Sequence, residues 1–201
     1  IGLIVEGIAD GAVCKLAAQR LLRGVVVHEP MTMINKKLLL EGCGDAAALL
    51  IKSHKCDRVC VVWDLNPPWA AKGAKPCRHN DRTLAFSSLK SAGLENDPRV
   101  ILLCITRELE TWLIADAAAI TSVLAGLNSE HRIERIKLPG KPERHSNPKG
   151  WLEDRFEQNA RGAKYTDRVH AAPILAAVSD IKVLRKIPSF ARFAERLARS
   201  E

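Results

Sequence analysis

Short apolar runs alternate with longer amphipathic stretches along the chain. Four of the runs have the length and composition of β-strands, and they cover residues 2–5, 25–28, 58–63 and 100–105. The third and fourth runs are apolar on both faces, as parallel strands covered by helices on both sides must be. We expect the third run to lie in the middle of the sheet.

Apolar residues recur at helical spacing after each of these runs. The predicted helices cover residues 10–23, 45–55, 81–91 and 107–116. We expect Asp10 to cap the first helix and Leu49 to face inward from the second. The alternation predicts an α/β fold with a mostly parallel sheet and helices on both faces.

The last third of the chain has a different composition. Residues 128–146 are polar, basic and rich in Pro and Gly, which is typical of a connector or a functional loop. Asn147 with Pro148, and later Pro188, are start signals for two further helices. We expect one domain with two parts: an α/β core at residues 1–126, and a basic connector with a C-terminal helical extension at residues 127–201.

Acidic side chains gather where three of the predicted strands end. They are Glu6 and Asp10 after the first strand, Asp64 with the amide Asn66 after the third, and Glu108 and Glu110 after the fourth. The carboxyl ends of parallel strands meet at one edge of a sheet, so we expect these side chains to converge. Packed carboxylates repel one another unless a cation neutralises them, and hard oxygen ligands suit Mg²⁺ or Mn²⁺. The sequence therefore predicts a divalent metal site at this edge.

Each acidic residue also has a structural explanation when it is taken alone. A Glu before Gly suits a turn, Asp10 suits a helix cap, and Glu108 and Glu110 suit a charged first helical turn. On a helix these two glutamates would diverge by about 200°. We therefore expect only one of them to point into the site unless the strand continues through Leu109.

Two segments carry a resemblance to a known family. Ile-Val-Glu6-Gly-Ile-Ala-Asp10 and Val-Val-Trp-Asp64-Leu-Asn66 resemble the Glu and Asp-x-Asp signature of Toprim domains, and Glu-Gly-x-x-Asp is the variant of overcoming-lysogenization-defect (OLD) type nucleases. The segment that begins at Glu108, with those at 147–149 and 188–190, is similar to a bacterial Toprim-like family of unknown function associated with mobile elements and phage defence.

The resemblance implies a Toprim/Rossmann-like fold and Mg²⁺- or Mn²⁺-dependent hydrolysis of phosphodiester bonds in DNA or RNA. It implies two sets of metal ligands: Glu6, Asp64 and Glu108 as direct, catalytic ligands, and Asp10, Asn66 and Glu110 as secondary ones. OLD-type enzymes often pair a lysine with the metals, and Lys149, with Lys164 behind it, is the candidate to stabilise the transition state. A solvated surface position is the alternative explanation for each of these lysines.

Asn66 departs from the family pattern, because it stands where the second Asp of the Toprim pair would be. Its carbonyl can still coordinate, but it adds no charge, so a weaker second metal or an impaired catalyst follows. The alternative function is a non-catalytic nucleic-acid-binding or regulatory subunit that acts with a partner protein. Nucleic acid, a partner ATPase or defence-system subunit, and a second copy of the chain are the candidate partners.

Positive charge favours a polyanionic partner. The formal net charge is +8 and the pI is about 9.4, and two basic stretches concentrate it. The expected nucleic-acid contacts are Lys72, Lys75 and Arg78 in one stretch, and Lys141 and Arg144 in the other. On charge alone, a solvated face explains these stretches equally well.

Several other classes of protein are disfavoured. No apolar run reaches membrane-spanning length, and with no targeting signal visible the cytoplasm is the expected location. The six cysteines lack zinc-site or disulfide spacing, so we expect most of them to be buried thiols. One Tyr and four Phe argue against a single-strand binder built on stacked bases, although Trp63 and Trp69 are predicted to flank the acidic site.

Overall fold

The structure is a computed structural model that describes residues 1–68, 75–128, 133, 136–160 and 162–198. Four parallel strands form one sheet in these residues. The strands are β1 (Gly2–Val5), β2 (Met31–Thr32), β3 (Val59–Asp64) and β4 (Val100–Ile105), in the order β2-β1-β3-β4. Six consecutive residue pairs join β3 to β4, from Val59 with Val100 to Asp64 with Ile105. The parallel α/β sheet and the inner position of β3 are confirmed.

Helices cover both faces of this sheet, as expected. They are α1 (Ile8–Leu21), α2 (Lys36–Lys52), α3 (Arg78–Ser91), α4 (Glu110–Leu113), α5 (Ala117–Leu127), α6 (Pro148–Asn159), α7 (Asp167–Ala177) and α8 (Pro188–Ala198). Alternate residues of β3 enter different cores: Val61 packs with α2 and α3, whereas Val62 packs with α1 and the C-terminal helices. This alternation explains why the strand is apolar on both faces.

The contact between α2 and α3 depends on a glycine inside a helix. A Cβ atom on Gly44 would lie 2.2 Å from the carbonyl oxygen of Ser88, a distance that no side chain tolerates. The two helices are also joined by hydrogen bonds, because Gly44 N donates to Ser88 Oγ at 2.9 Å and Ser88 Oγ donates to Glu41 O at 2.8 Å. Close approach thus compensates the low helix propensity of Gly.

The last helix packs on the same core as the sheet. Trp112 is fully buried, and its ring contacts those of Phe190 and Phe193 with centroids 5.0 and 5.2 Å apart. Its indole Nε1 donates to Ser189 Oγ at 3.0 Å, so the buried polar atom of the indole is satisfied. The start signals of α6 and α8 are confirmed at Pro148 and Pro188, and Asn147 Oδ1 accepts from Gly150 N at 2.9 Å.

Other boundaries were predicted wrongly. Residues 25–28 are not a strand, and the edge strand is instead the two-residue β2. The second helix begins at Lys36 rather than 45, and Leu49 is 45% exposed rather than inward-facing. Gly7 caps α1, and Asp10 lies in its first turn. Helices α5 and α7 were not predicted at all, whereas the expectation of buried thiols is confirmed for five of the six cysteines.

Candidate functional site

A hydrogen bond from a backbone N–H to a side-chain carboxylate joins the ends of the two inner strands. Asp64 N donates to Glu6 Oε1 at 2.9 Å, so the side chain that follows β1 reaches the residue that ends β3. Asp10 lies one helical turn further along the chain, where its Oδ2 accepts from Gly7 N at 2.9 Å. The start of α1 therefore holds a second carboxylate beside the first.

The chain after β4 is folded back onto Asp64. Leu109 N donates to Asp64 Oδ2 at 3.1 Å, and Asn66 N donates to Arg107 O at 2.9 Å. Arg107 has a φ of 76°, a left-handed conformation that costs a residue with a side chain on the order of 1 kcal/mol. This turn, held by the two bonds to the β3 end, directs Glu108 and Glu110 to different neighbours.

Glu110, the first residue of α4, is the glutamate that faces the other carboxylates. It is buried, and its Oε1 accepts from the hydroxyl of Tyr165 at 3.3 Å. Glu108 turns toward the start of α6, where its Oε2 accepts a long bond of 3.4 Å from Lys149 N. The expected divergence of the two glutamates is therefore observed, and the charge of Glu110 is one of those that raise the pKa of Asp64.

Burial and mutual repulsion raise the pKa values of these carboxyl groups. Burial raises the pKa of Glu6 to about 7, with a further contribution from the charge of Asp10. Burial likewise raises the pKa of Glu110 to about 7 and that of Asp10 to about 6. Burial, then the charges of Asp10, Glu6 and Glu110, raise the pKa of Asp64 well above its usual range. The four groups form one electrostatic cluster.

Lys149 is one of the cations beside this cluster. Its Nζ lies 3.1 Å from Asp167 Oδ2, and both side chains are about two-fifths exposed. Burial alone would lower the pKa of Lys149, but Asp167 and Glu110 outweigh burial and raise it. Asp167 has a lowered pKa although burial opposes this, because the Lys149 ammonium stabilises its charge. Lys149 is therefore charged and already paired.

A buried ion pair anchors the loop that leaves Asp64. Lys36 Nζ lies 3.2 Å from Asp81 Oδ2 and donates to the carbonyl oxygens of Leu65 at 2.8 Å and Pro67 at 3.1 Å. Trp63 Nε1 donates to the same Asp81 Oδ2 at 3.1 Å. Trp63, expected to flank the site, is buried, so its ring is not exposed to a substrate. Trp69 lies outside the described residues.

The free oxygens of the cluster are not gathered around a single point. One oxygen of each of Glu6, Asp10, Asp64 and Glu110 accepts a hydrogen bond from a protein N–H or O–H group. In the part of the chain that the structure describes, no three Asp, Glu, His or Cys side chains are placed to hold a metal ion together as they stand. Asn66, whose backbone N–H donates to Arg107 O, is partly buried.

The predicted nucleic-acid contacts fall in different places. Arg78 Nη2 donates to Thr106 Oγ1 at 3.1 Å, so this cation lies where β4 ends, at the edge that carries the acidic cluster. Lys75 is exposed just before α3, and Lys72 lies outside the described residues. Lys141 and Arg144 line a cavity near the start of α8. Contact of any of them with a phosphate backbone stays a prediction.

Sequence reasoning missed three side chains that shape the site. Tyr165 and Asp167 come from the segment around the start of α7, and Lys36 comes from the start of α2. Helix α7 carries Pro173 in its interior, which obscured it in the sequence. That Tyr165 is the single tyrosine of the chain is the one signal that could have drawn attention to it.

None of the helices in the described residues has both the length and the apolar composition that a membrane span requires.

Comparisons with known proteins identify the family of this chain. Neither the curated proteins nor the solved structures include a match to this chain. The model of one protein family, described as Domain of unknown function (DUF4276), matches residues 5–198. Because that match covers nearly the whole sequence, the chain belongs to the DUF4276 family.

Proposed function

We propose that this protein is a Mg²⁺- or Mn²⁺-dependent nuclease of the Toprim type that hydrolyses phosphodiester bonds in DNA or RNA. The observation that carries the proposal is the cluster formed by Glu6, Asp10, Asp64 and Glu110 at the carboxyl edge of the sheet. Its members come from three separate segments of the chain, after β1, at the end of β3 and after β4.

The chemistry of this cluster fits a hard divalent cation. Its donors are all oxygen atoms, and the pKa values of the four carboxyl groups are raised because burial outweighs the contributions that favour the charged form. The two lysines beside the cluster offset this only in part: Lys36 acts to lower the pKa of Glu6 and Lys149 those of Asp10 and Glu110. Each lysine is also shared with a further aspartate, Lys36 with Asp81 and Lys149 with Asp167. Glu6, Asp64 and Glu110, with Asp10, would hold the ion after rotation of their side chains, and Glu108 and Asn66 would lie further out.

Bound at this edge, the ion would supply a water of lowered pKa and a positive charge for the scissile phosphate. The protein's own residues would do the rest. Lys149 would neutralise the negative charge that develops on the phosphate, and its bond to Asp167 would hold it in place. Arg78, at the end of β4, would hold the nucleic-acid backbone toward the cluster.

A second function is favoured by one observation. Asn66 occupies the position of a second acid, and an amide adds no charge with which to hold a second ion. The alternative is therefore a nucleic-acid-binding or regulatory subunit that keeps the acidic edge for ligand capture and acts with a partner protein, such as an ATPase of a defence system.

The test compares cleavage by the parent chain and by Asp64→Asn. Plasmid, single-stranded DNA and single-stranded RNA are incubated with each protein in Mg²⁺, in Mn²⁺ and in EDTA. Asn is preferred to Ala because its amide oxygen can still accept from Leu109 N. We expect the variant to lose about 100-fold or more, since loss of groups that only support metal ligands already costs 10- to 100-fold.

Glu157→Gln is the matched control, because it removes one charge from an exposed position on α6. It is purified in parallel, so equal cleavage by the parent and this control excludes a co-purifying nuclease as the source of any difference. Equal cleavage by the parent and Asp64→Asn would contradict the proposal. Tight nucleic-acid binding with no cleavage of any substrate would favour the regulatory subunit.

A further inference from the structure

A cavity of about 460 Å³ lies between the end of α4 and the start of α8. Its lining is largely aliphatic and includes Ile114, Leu138, Val183 and Ile187, of which Ile114 and Ile187 are buried. None of the strand-end carboxylates lines it. A concave apolar pocket of this volume is typical of a small-molecule site.

Three cations surround this apolar floor. Lys141, Arg144 and Lys186 all line the cavity, and all three side chains are exposed. None of them forms an ion pair with a carboxylate in the described ranges of the chain. Their charges are therefore available to a ligand that enters the cavity.

One carboxylate also lines the cavity, but it is already engaged. Glu143 Oε1 accepts from Ser189 N at 2.6 Å, which places the carboxylate against the N-terminus of α8. The partial positive charge of a helix N-terminus stabilises such a group. Glu143 offsets only one of the three positive charges, so the cavity combines an apolar interior with a positive rim.

We propose that this cavity binds a small amphipathic anion, which goes beyond the proposed nuclease function. The ligand would place an aromatic or short aliphatic body against Ile114 and Ile187, and a sulfonate, carboxylate or phosphate group against the cations. Arg144 can bind such an oxyanion with two parallel hydrogen bonds. Neither half of the ligand is dispensable, because the apolar area and the charges lie on different parts of the same cavity.

The first experiment measures binding of anilinonaphthalene sulfonate by fluorescence titration of the full chain. Lys186→Ala should weaken binding roughly 3- to 10-fold, since an exposed charge-assisted contact is lost. Lys182→Ala is the matched control, because Lys182 belongs to the same short helix, Ile181–Lys186, but does not line this cavity. Equal affinities of these two variants would overturn the proposal.

Displacement then separates the contributions of charge and of apolar area. Octyl phosphate should displace the probe, whereas inorganic phosphate and octanol at the same concentration should displace it much less. If inorganic phosphate competes as well as octyl phosphate, the apolar floor contributes nothing and the proposal is wrong. A duplex oligonucleotide that displaces the probe as effectively as octyl phosphate would also overturn it, and would assign Lys141 and Arg144 to nucleic acid.

Filling the cavity tests its position. Ala115 lines the cavity and is partly buried, so Ala115→Phe should place a ring inside it and weaken probe binding about 10-fold or more. Thermal unfolding of the variant checks that the fold persists. Unchanged probe affinity in a folded Ala115→Phe variant would show that the probe binds elsewhere, and the Lys186 comparison decides the matter if this variant does not fold.

Discussion

Glu6 Oε1 accepts a 2.9 Å hydrogen bond from the backbone N–H of Asp64. The carboxylate that follows β1 is therefore fixed to the end of β3, its neighbour in the sheet. The bond orients Glu6 without neutralising it, because the donor is an uncharged amide. Asp64 is oriented in the same way by Leu109 N. Backbone donors thus position Glu6 and Asp64 and leave the charge of these side chains for a ligand to compensate.

The first prediction separates Glu110 from Glu108. Glu110→Gln should reduce metal-dependent cleavage about 100-fold, because Glu110 is buried beside Asp64 and raises its pKa. Glu108→Gln should reduce it by less than about 10-fold, since Glu108 faces the start of α6. Initial rates at saturating Mg²⁺ provide the comparison, and a larger loss in Glu108→Gln would reverse the assignment of the two residues.

The second prediction concerns stability and pH in EDTA. An acid whose folded-state pKa is raised keeps its proton longer in the folded than in the unfolded state, so stability falls as pH rises between the two values. For Glu6 and Glu110 this interval runs from 4.5 to about 7. Each group should reduce stability by about 1–3 kcal/mol above the interval and by nothing below it.

Thermal unfolding between pH 4.5 and 8 measures this effect. The Tm of the parent should fall as pH rises through the interval, and the Tm of Glu110→Gln should fall less. The two changes in Tm should differ by about 2–4 °C for each kcal/mol of lost stability. Added Mg²⁺ should raise the Tm of the parent more at pH 7.5 than at pH 5. Parallel pH profiles for parent and variant would show that Glu110 is not strained by its burial.

The third prediction concerns the hydroxyl group that orients Glu110. Tyr165→Phe removes the 3.3 Å bond to Glu110 Oε1 but keeps the ring contact with Phe156, whose centroid lies 5.4 Å away. We expect a loss of about 1 kcal/mol in unfolding free energy and about 10-fold in Mg²⁺ affinity. Calorimetric titration with Mg²⁺ measures the second effect, and unchanged affinity would make Tyr165 a packing residue only.

The fourth prediction compares two lysines. Lys149→Ala should lower the cleavage rate more than it lowers affinity for nucleic acid, because Lys149 lies beside the acidic cluster. Its half-exposed pair with Asp167 is worth at most about 1 kcal/mol, so the fold should persist. Lys90→Ala, at an exposed position in the last turn of α3, is the control. Equal effects of the two variants on rate would exclude a catalytic role for Lys149.

The fifth prediction uses the salt dependence of nucleic-acid binding. Replacement of Lys72, Lys75 and Arg78 by Ala should flatten the slope of log affinity against log salt for duplex DNA by roughly three units. The control replaces Lys52, Lys55 and Lys90, three exposed cations near the C-terminal ends of α2 and α3, at the opposite edge of the sheet. An unchanged slope in the first variant would mean that these cations are only a solvated face.

The sequence predicted the parts of the fold that burial determines. The runs that became β1, β3 and β4 are apolar because both faces of the sheet are covered. The run at residues 25–28 is just as apolar but belongs to no strand of the described sheet: Ile1 exchanges two backbone hydrogen bonds with it, and Val25 N donates to Leu22 O. Gly42 and Gly44 delayed the predicted start of α2, because the contact that requires Gly44 is tertiary.

The sequence was sufficient to predict which edge of the sheet carries the candidate site. Parallel strand ends place Glu6, Asp64 and the pair after β4 together, and this follows from topology alone. The choice between Glu108 and Glu110 depends on the turn at Arg107, whose left-handed backbone no local sequence pattern announces. Tyr165 lies 55 residues from Glu110 in the sequence, so that pairing is a product of tertiary packing.

The aromatic contacts of Trp112 determine whether the chain can be divided into shorter fragments. A fragment that ended near residue 127 would expose an indole that now contacts Phe190 and Phe193, and would leave its N–H without the hydroxyl of Ser189. It would also lack Lys149, Tyr165 and Asp167. A cut between a catalytic half and an accessory half would therefore divide one hydrophobic core and would also separate residues of the proposed active site.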